Sequence, residues 1–259
     1  MQEELKTAII QSDLVWENPM QNRQNFAEKI KQIKETVDII VLPEMFTSGF
    51  TMNPEHVFET MDGTTITWMK EIAKKTNSAI CGSLVISENN NYYNRFVFVT
   101  PNGDLNHYDK RHTFTLAGEH KVYSAGSERL IVNYKGWKIL PLVCYDLRFP
   151  VWARYTDDYD MVIFVANWPK PRVNAWDALL KARAIENMSY CVGVNRVGFD
   201  NNNHEYVGHS AIYDGLGECI SNIKHNTEQT EVVTLEKNHL ETIRQKLKFL
   251  DDRDAFTLK

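Results

Sequence analysis

The chain has 259 residues, 43% of them hydrophobic and 24% charged, with a net charge of −5. That length supplies a well-buried core, and the mildly acidic balance argues against a nucleic-acid partner, which requires a basic stripe. No apolar run reaches the roughly 18 residues of a membrane-spanning helix, so no membrane partner is expected.

From the N-terminus, MQEELKTAII is acidic and polar before its first apolar residues, unlike a signal peptide. The expected setting is a reducing cytoplasm with Cys81, Cys144, Cys191 and Cys219 as free thiols. None of them forms a Cys-x-x-Cys pair, which argues against a zinc knuckle. The first strand is predicted over Thr7–Asp13. A helical stripe at Phe26, Ile30, Ile33 and Val37 follows, then a strand over Asp38–Pro43. Ile66, Met69, Ile72 and Ala73 mark a second helix, before strands at Ser78–Ile86 and Tyr92–Thr100. Asn102-Gly103 is a hairpin signal joining that strand to Leu105–Tyr108.

Further strands are predicted at Leu130–Tyr134, Trp137–Cys144 and Met161–Ala166, with a helix opening at Phe149-Pro150. Trp176, Leu180, Ala184 and Met188 make a third stripe, ahead of strands at Cys191–Asn195, Ser210–Tyr213 and Glu231–Leu235. The turn Asp214-Gly215-Leu216-Gly217 suggests another hairpin. Leu240, Ile243 and Leu247 form a last helix with Asn238 as its N-cap. The Asn-rich stretches at 89–91 and 201–203 read as exposed loops. No linker divides the chain, so residues 1–259 are read as a single domain of the α/β class mixing crossovers with hairpins.

Ligands in open α/β sheets gather outside the carboxyl ends of strands, and reactive side chains are sought there. Glu44 ends DIIVLPE, and burial there would make it a usable base near neutral pH. Lys110 follows the hairpin, and nine residues later LAGEH supplies Glu119 in the same loop. Cys144 ends WKILPLVC just before the helix start; a thiol facing that end would be favoured as thiolate by the helix dipole. Cys81 and Cys191 lie inside apolar runs and Cys219 follows a turn, so packing explains them more simply. A Cys-His pairing stays open at this stage, because His107, His112, His120, His204 and His209 are all available. No Gly-x-Ser-x-Gly elbow, dinucleotide fingerprint or P-loop is present.

LPEMF, DKRH and LVCYDLRFP, in this order, resemble the carbon–nitrogen hydrolase, or nitrilase-like, family, and AGEH matches its second carboxylate. ANWPKPR at 166–172, AWDALLKARAIEN at 175–187 and VGVNRVG at 192–198 are similar to its omega-amidase branch, and the likeness extends to FLDDRDAF at 249–256. Thr115 departs from the pattern, standing where that branch often carries a basic residue. The resemblance implies a four-layer α-β-β-α sandwich and at least a homodimer. It implies Glu44 as general base, Lys110 as oxyanion stabiliser, Cys144 as nucleophile and Glu119 as an orienting carboxylate. The backbone N–H of Tyr145 would share the oxyanion. Arg172 is the candidate for a substrate carboxylate, with Phe46, Phe114 and Trp168 as candidate pocket walls. The implied substrate is a short 2-oxo dicarboxylate mono-amide, hydrolysed through a Cys thioester without metal or cofactor. The alternatives are another amide, nitrile or N-carbamoyl amino acid, or a non-catalytic scaffold.

Overall fold

Strands that are apolar at every position must be covered on both faces. The computed structural model, which describes residues 2–156 and 158–257, covers them so. In chain order the first half runs β1 (Glu4–Gln11), α1 (Pro19–Lys31), β2 (Ile39–Val41), α2 (Thr64–Thr76), β3 (Ala79–Glu88), β4 (Asn91–Val99) and β5 (Leu105–Asp109). Next come β6 (Val132–Tyr134), β7 (Trp137–Val143), α3 (Pro150–Ala153), β8 (Met161–Ala166), α4 (Val173–Asn187) and β9 (Tyr190–Asn195). The chain continues through β10 (Val197–Phe199), β11 (Glu205–Val207), β12 (Ala211–Tyr213), β13 (Gln229–Glu236) and α5 (Lys237–Leu247). Among the described residues the strands form a six-stranded sheet, β13-β1-β2-β3-β4-β5, a five-stranded sheet, β12-β9-β8-β7-β6, and the separate β10-β11 pair.

Period-two alternation divides each strand of the first sheet between two cores. Ile39, Val41, Ala79, Cys81, Phe96 and Phe98 pack into one cluster with Leu140, Ile163 and Val192 of the second sheet. Ile40, Leu42, Ile80 and Val97 point the other way, onto Phe26 and Ile30 of α1 and Ile66 and Met69 of α2. On the far side of the second sheet, α4 sits directly on Gly193, where an added Cβ would meet Leu180 at 2.4 Å. The result is the four-layer α-β-β-α sandwich. Full burial of each large apolar side chain contributes about 1.5–3 kcal/mol.

Strand direction aims the chemistry. β1, β2 and β3 are mutually parallel, and β5, two antiparallel steps from β3, runs with them. β7, β8 and β9 are parallel in the second sheet. Lys110 and Cys144 directly follow the carboxyl ends of β5 and β7, and Glu44 lies three residues past β2.

Several local expectations need correction. α1 closes at Lys31, where the Gln32 N–H turns back to Lys29 and Ile30, so Ile33 and Val37 lie beyond it. Met188 is not helical but caps α4 in the left-handed region at φ 43°. β13 runs straight into α5, making Glu236 the cap and placing Asn238 inside the first turn. The helix at Pro150 is four residues long, and a 3₁₀ turn over Cys144–Arg148 comes before it. Cys144 therefore opens that turn and does not face a helix end, which removes the dipole argument. The β10–β11 hairpin, whose tip is the Asn-rich stretch at 201–203, has strands too short for alternation to show.

Because Leu180 and Trp176 already crowd the Gly193 position, Gly193→Val should destabilise the protein by about 1–3 kcal/mol through overpacking. Urea denaturation checks this: the midpoint falls with the slope unchanged.

Candidate active site

The turns that deliver the reactive groups are held in tight backbone geometry. Met45, next to Glu44, and Cys144 itself have positive φ, 42° and 45°, a region that costs a non-glycine residue about 1–2 kcal/mol. Ser83 Oγ accepts from Met45 N at 2.8 Å and steadies the first turn. Glu44, Lys110, Glu119 and Cys144 thereby converge from both sheets.

Glu44 is fully buried and each carboxylate oxygen has assigned partners. Oε1 accepts from Lys110 Nζ at 2.9 Å and Asn94 Nδ2 at 2.8 Å. Oε2 accepts from the backbone N–H of Asn167 at 2.8 Å. Lys110 also donates to both oxygens of Glu119, at 3.0 and 2.9 Å. Glu119 accepts in addition from Asn94 Nδ2 at 3.2 Å and from the backbone of Phe114. One ammonium thus lies between two carboxylates, with a single amide bridging them. The three acceptors match the three N–H groups of Lys110.

Burial alone would discharge Lys110, yet Glu119, Glu44 and the nearby thiol hold it protonated far above its ordinary range. Burial raises the Glu119 carboxyl, opposed by Lys110 and assisted by the charge of Glu44. The Cys144 thiol is also pushed well up, first by burial and then by Glu44, with Lys110 working against them. Its Sγ–H is directed at the Asn167 carbonyl across 4.0 Å, and Glu44 is near enough to act on its titration. A carboxylate, not an imidazole, stands beside the thiol. His112, His204 and His209 are engaged by Asp146, Asp200 and Asp177.

A cavity of about 500 Å³ opens over Lys110 and Cys144. Phe114, Trp168 and Arg172 line it, as does Tyr145, named earlier for its backbone N–H; Phe46 does not. Phe46 turns to the helical side and packs edge-on against Phe26, with ring centroids 5.6 Å apart, so it is core. Arg148, which sequence reasoning passed over, joins the lining. The Arg172 guanidinium lies 5.2 Å from the Phe114 ring and that of Arg148 lies 4.9 Å from Trp168. Neither arginine is paired with a carboxylate among the described residues. Asn94, inside β4, and Asn167, just past β8, were also missed, because a single amide carries no pattern. Cys81 and Cys191 are buried in β3 and β9, where burial pushes both thiols up, and Cys219 is exposed. Among the described residues no cluster suited to a metal ion occurs, and no helix is long and apolar enough to cross a membrane.

Residues 6–245 match the sequence profile of the Carbon-nitrogen hydrolase family. The chain is 43% identical over 255 residues to Omega-amidase YafV of Yersinia enterocolitica, covering 98% of each. It is 34% identical over 219 residues to 2-oxoglutaramate amidase of Bacillus subtilis, covering 83% of this chain and 84% of that one. Among solved structures it superimposes with a TM-score of 0.97 on XC1258 of Xanthomonas campestris, a carbon–nitrogen hydrolase superfamily protein with an arsenic adduct in its active site. That match covers 100% of both chains at 39% identity.

A thiol held above its ordinary range keeps its proton through neutral pH and releases it only in alkali. The ultraviolet thiolate absorbance of wild type minus Cys144→Ala should therefore be flat through neutrality. Thiolate absorbance already present at neutral pH contradicts this.

Proposed function

The chain belongs to the carbon–nitrogen hydrolase family and is an amidohydrolase, and from that premise we propose that it is an omega-amidase acting on short 2-oxo dicarboxylic acid mono-amides through a Cys144 thioester. The observation that carries the reading is a cavity lined by Lys110, itself paired with the buried Glu44, and Cys144 together with Arg148 and Arg172, neither of which has a carboxylate partner among the described residues. The names of the similar proteins, omega-amidase and 2-oxoglutaramate amidase, support it.

In the proposed reaction the Cys144 sulfur attacks the amide carbonyl as Glu44 accepts the thiol proton. The tetrahedral intermediate carries its negative charge on oxygen, near the Lys110 ammonium and the Tyr145 N–H. Losing one such donor typically costs about 3 kcal/mol in the transition state. All three N–H groups of Lys110 have carboxylate partners at rest, so direct donation to the oxyanion draws on a bond to Glu119. Glu44 then protonates the nitrogen, the C–N bond breaks, and ammonia leaves a thioester on Cys144. Water attacks the thioester, giving a proton to Glu44. Collapse expels the sulfur, which recovers that proton, and the acid departs. Glu119 and Asn94 keep Lys110 and Glu44 in register throughout.

In the same cavity, a guanidinium fork can match a substrate carboxylate in two parallel hydrogen bonds. Arg172 takes that role in this reading, with Arg148 as a second guanidinium in the lining, and Phe114 and Trp168 flank the short carbon chain.

Cys144→Ala should abolish hydrolysis with the fold intact by circular dichroism. In the wild type, a slow substrate should add its acyl mass at Cys144. Substantial activity in the alanine variant overturns the assignment. Turnover should favour 2-oxoglutaramate over an N-carbamoyl amino acid; the reverse preference rejects the substrate. Arg172→Ala should raise KM for carboxylate-bearing amides and leave neutral amides nearly unaffected, and equal losses on both remove its proposed role.

A further inference from the structure

The reacting groups come from two different sheets, so the gap between Cys144 and Lys110 depends on how the sheets' exit loops are joined. Asp146, two residues past Cys144, is fully buried and does not line the cavity. Its carboxylate takes four hydrogen bonds. Oδ2 accepts from Val143 N at 3.0 Å and from Tyr108 OH at 2.9 Å. Oδ1 accepts from His112 N at 3.0 Å and pairs with His112 Nδ1 at 2.8 Å. An ionised carboxylate only accepts, so Nδ1 carries the hydrogen of that ring.

The donors bracket both reacting groups. Val143 immediately precedes Cys144. Tyr108 and His112 stand two residues on either side of Lys110. The surroundings stiffen each arm: Tyr108 OH also accepts from Arg111 N at 3.0 Å and Trp152 Nε1 at 2.9 Å, filling its hydrogen-bonding capacity. The His112 ring stacks on Phe149 at 3.7 Å with 7° between planes. Phe149 and Trp152 belong to the segment just after the Cys144 turn, whereas Tyr108, Arg111 and His112 belong to the exit of β5. The left-handed backbone of Cys144, at φ 45°, is held from one side by the Val143–Asp146 bond.

We propose that Asp146 is a positioning residue that sets the distance and angle between Cys144 and Lys110 across the two sheets, with Tyr108 and His112 as its arms. This rests on reading Glu44, Lys110 and Cys144 as the reacting groups. A carboxylate is required because four donors converge on it. An amide of the same shape turns an NH₂ towards one donor pair and leaves that side repelled. A shift of the nucleophile by about 1 Å is enough to lower the rate about 100-fold.

Two variants test the proposal, Asp146→Asn and His112→Phe. The second keeps a ring to stack on Phe149 and removes the ring nitrogens, and with them the bond to Asp146 Oδ1. Both are measured for kcat and KM on 2-oxoglutaramate, for alkylation of Cys144 by iodoacetamide, and for melting temperature. The expected result is a kcat about 100-fold lower for Asp146→Asn and a smaller fall for His112→Phe. KM should be unchanged, and Cys144 alkylation should slow in step with kcat in both folded variants. Wild-type kcat in either variant, or a loss carried wholly by KM, overturns it. If Asp146→Asn does not fold, His112→Phe decides alone. An active Cys144→Ala enzyme would instead bring down the underlying reading, so the two failures are distinguishable.

Discussion

The site depends on one desolvated ammonium shared by two carboxylates. Lys110, Glu44 and Glu119 are buried together, and taking such ions out of water costs several kcal/mol for each one. The arrangement persists because every charge is met: Lys110 has three carboxylate oxygens, and Asn94 and Asn167 occupy positions on the carboxylates that Lys110 leaves open. Removing one partner of such a buried group strands the others, at about 3–5 kcal/mol. The group therefore constrains neighbouring chain segments as strongly as it shapes reactivity. Burial first, and then the charge of Glu44, keeps a thiol in contact with this group protonated at rest, against the pull of Lys110. The proposed reaction accordingly starts with proton transfer to Glu44 as the sulfur attacks, not from a standing thiolate.

Convergence of these groups follows from the sandwich. Glu44 and Lys110 leave the carboxyl end of one sheet, and Cys144 and Asn167 leave that of the other. Each sheet is rigid because its strands are apolar and covered on both faces. The loops between them inherit that rigidity only where they are tied together. Asn167 is one tie, donating from backbone and side chain to Glu44 of the opposite sheet. The Asp146 carboxylate is another, between the Cys144 turn and the exit of β5.

Sequence patterning made the covered strands legible, and the resemblance carried by three ordered motifs supplied the four layers and the candidate reacting groups. Continuous apolar runs separated by helical stripes marked a covered sheet, and three motifs in order marked Glu44, Lys110 and Cys144. What it obscured were directions. Phe46 lies two residues from Glu44 in the chain, but the left-handed turn at Met45 sends it to the opposite side of the sheet, against Phe26. The thiol seemed to face a helix end, whereas a 3₁₀ turn intervenes and the electrostatics come from Glu44 and Lys110. Asn94 and Arg148 gain their meaning from contacts across strands, which spacing along the chain does not encode.

The distribution of charge along the cavity also orients the proposed substrate. A mono-amide with a terminal carboxylate has one neutral end and one anionic end. Placing the anion against Arg148 and Arg172 leaves the neutral amide at the Glu44–Lys110–Glu119 group, with its carbonyl within reach of Cys144. The reversed pose sets a carboxylate beside two buried carboxylates and leaves both guanidinium groups unsatisfied, a double penalty in a cavity of low dielectric. Hydrolysis creates that same unfavourable contact at the reacting end. The product has a carboxylate where the neutral amide had been, so repulsion from Glu44 and Glu119 favours release of the acid. On the proposed reading, one charge asymmetry thus serves the preference for a mono-amide, its orientation and the departure of its product.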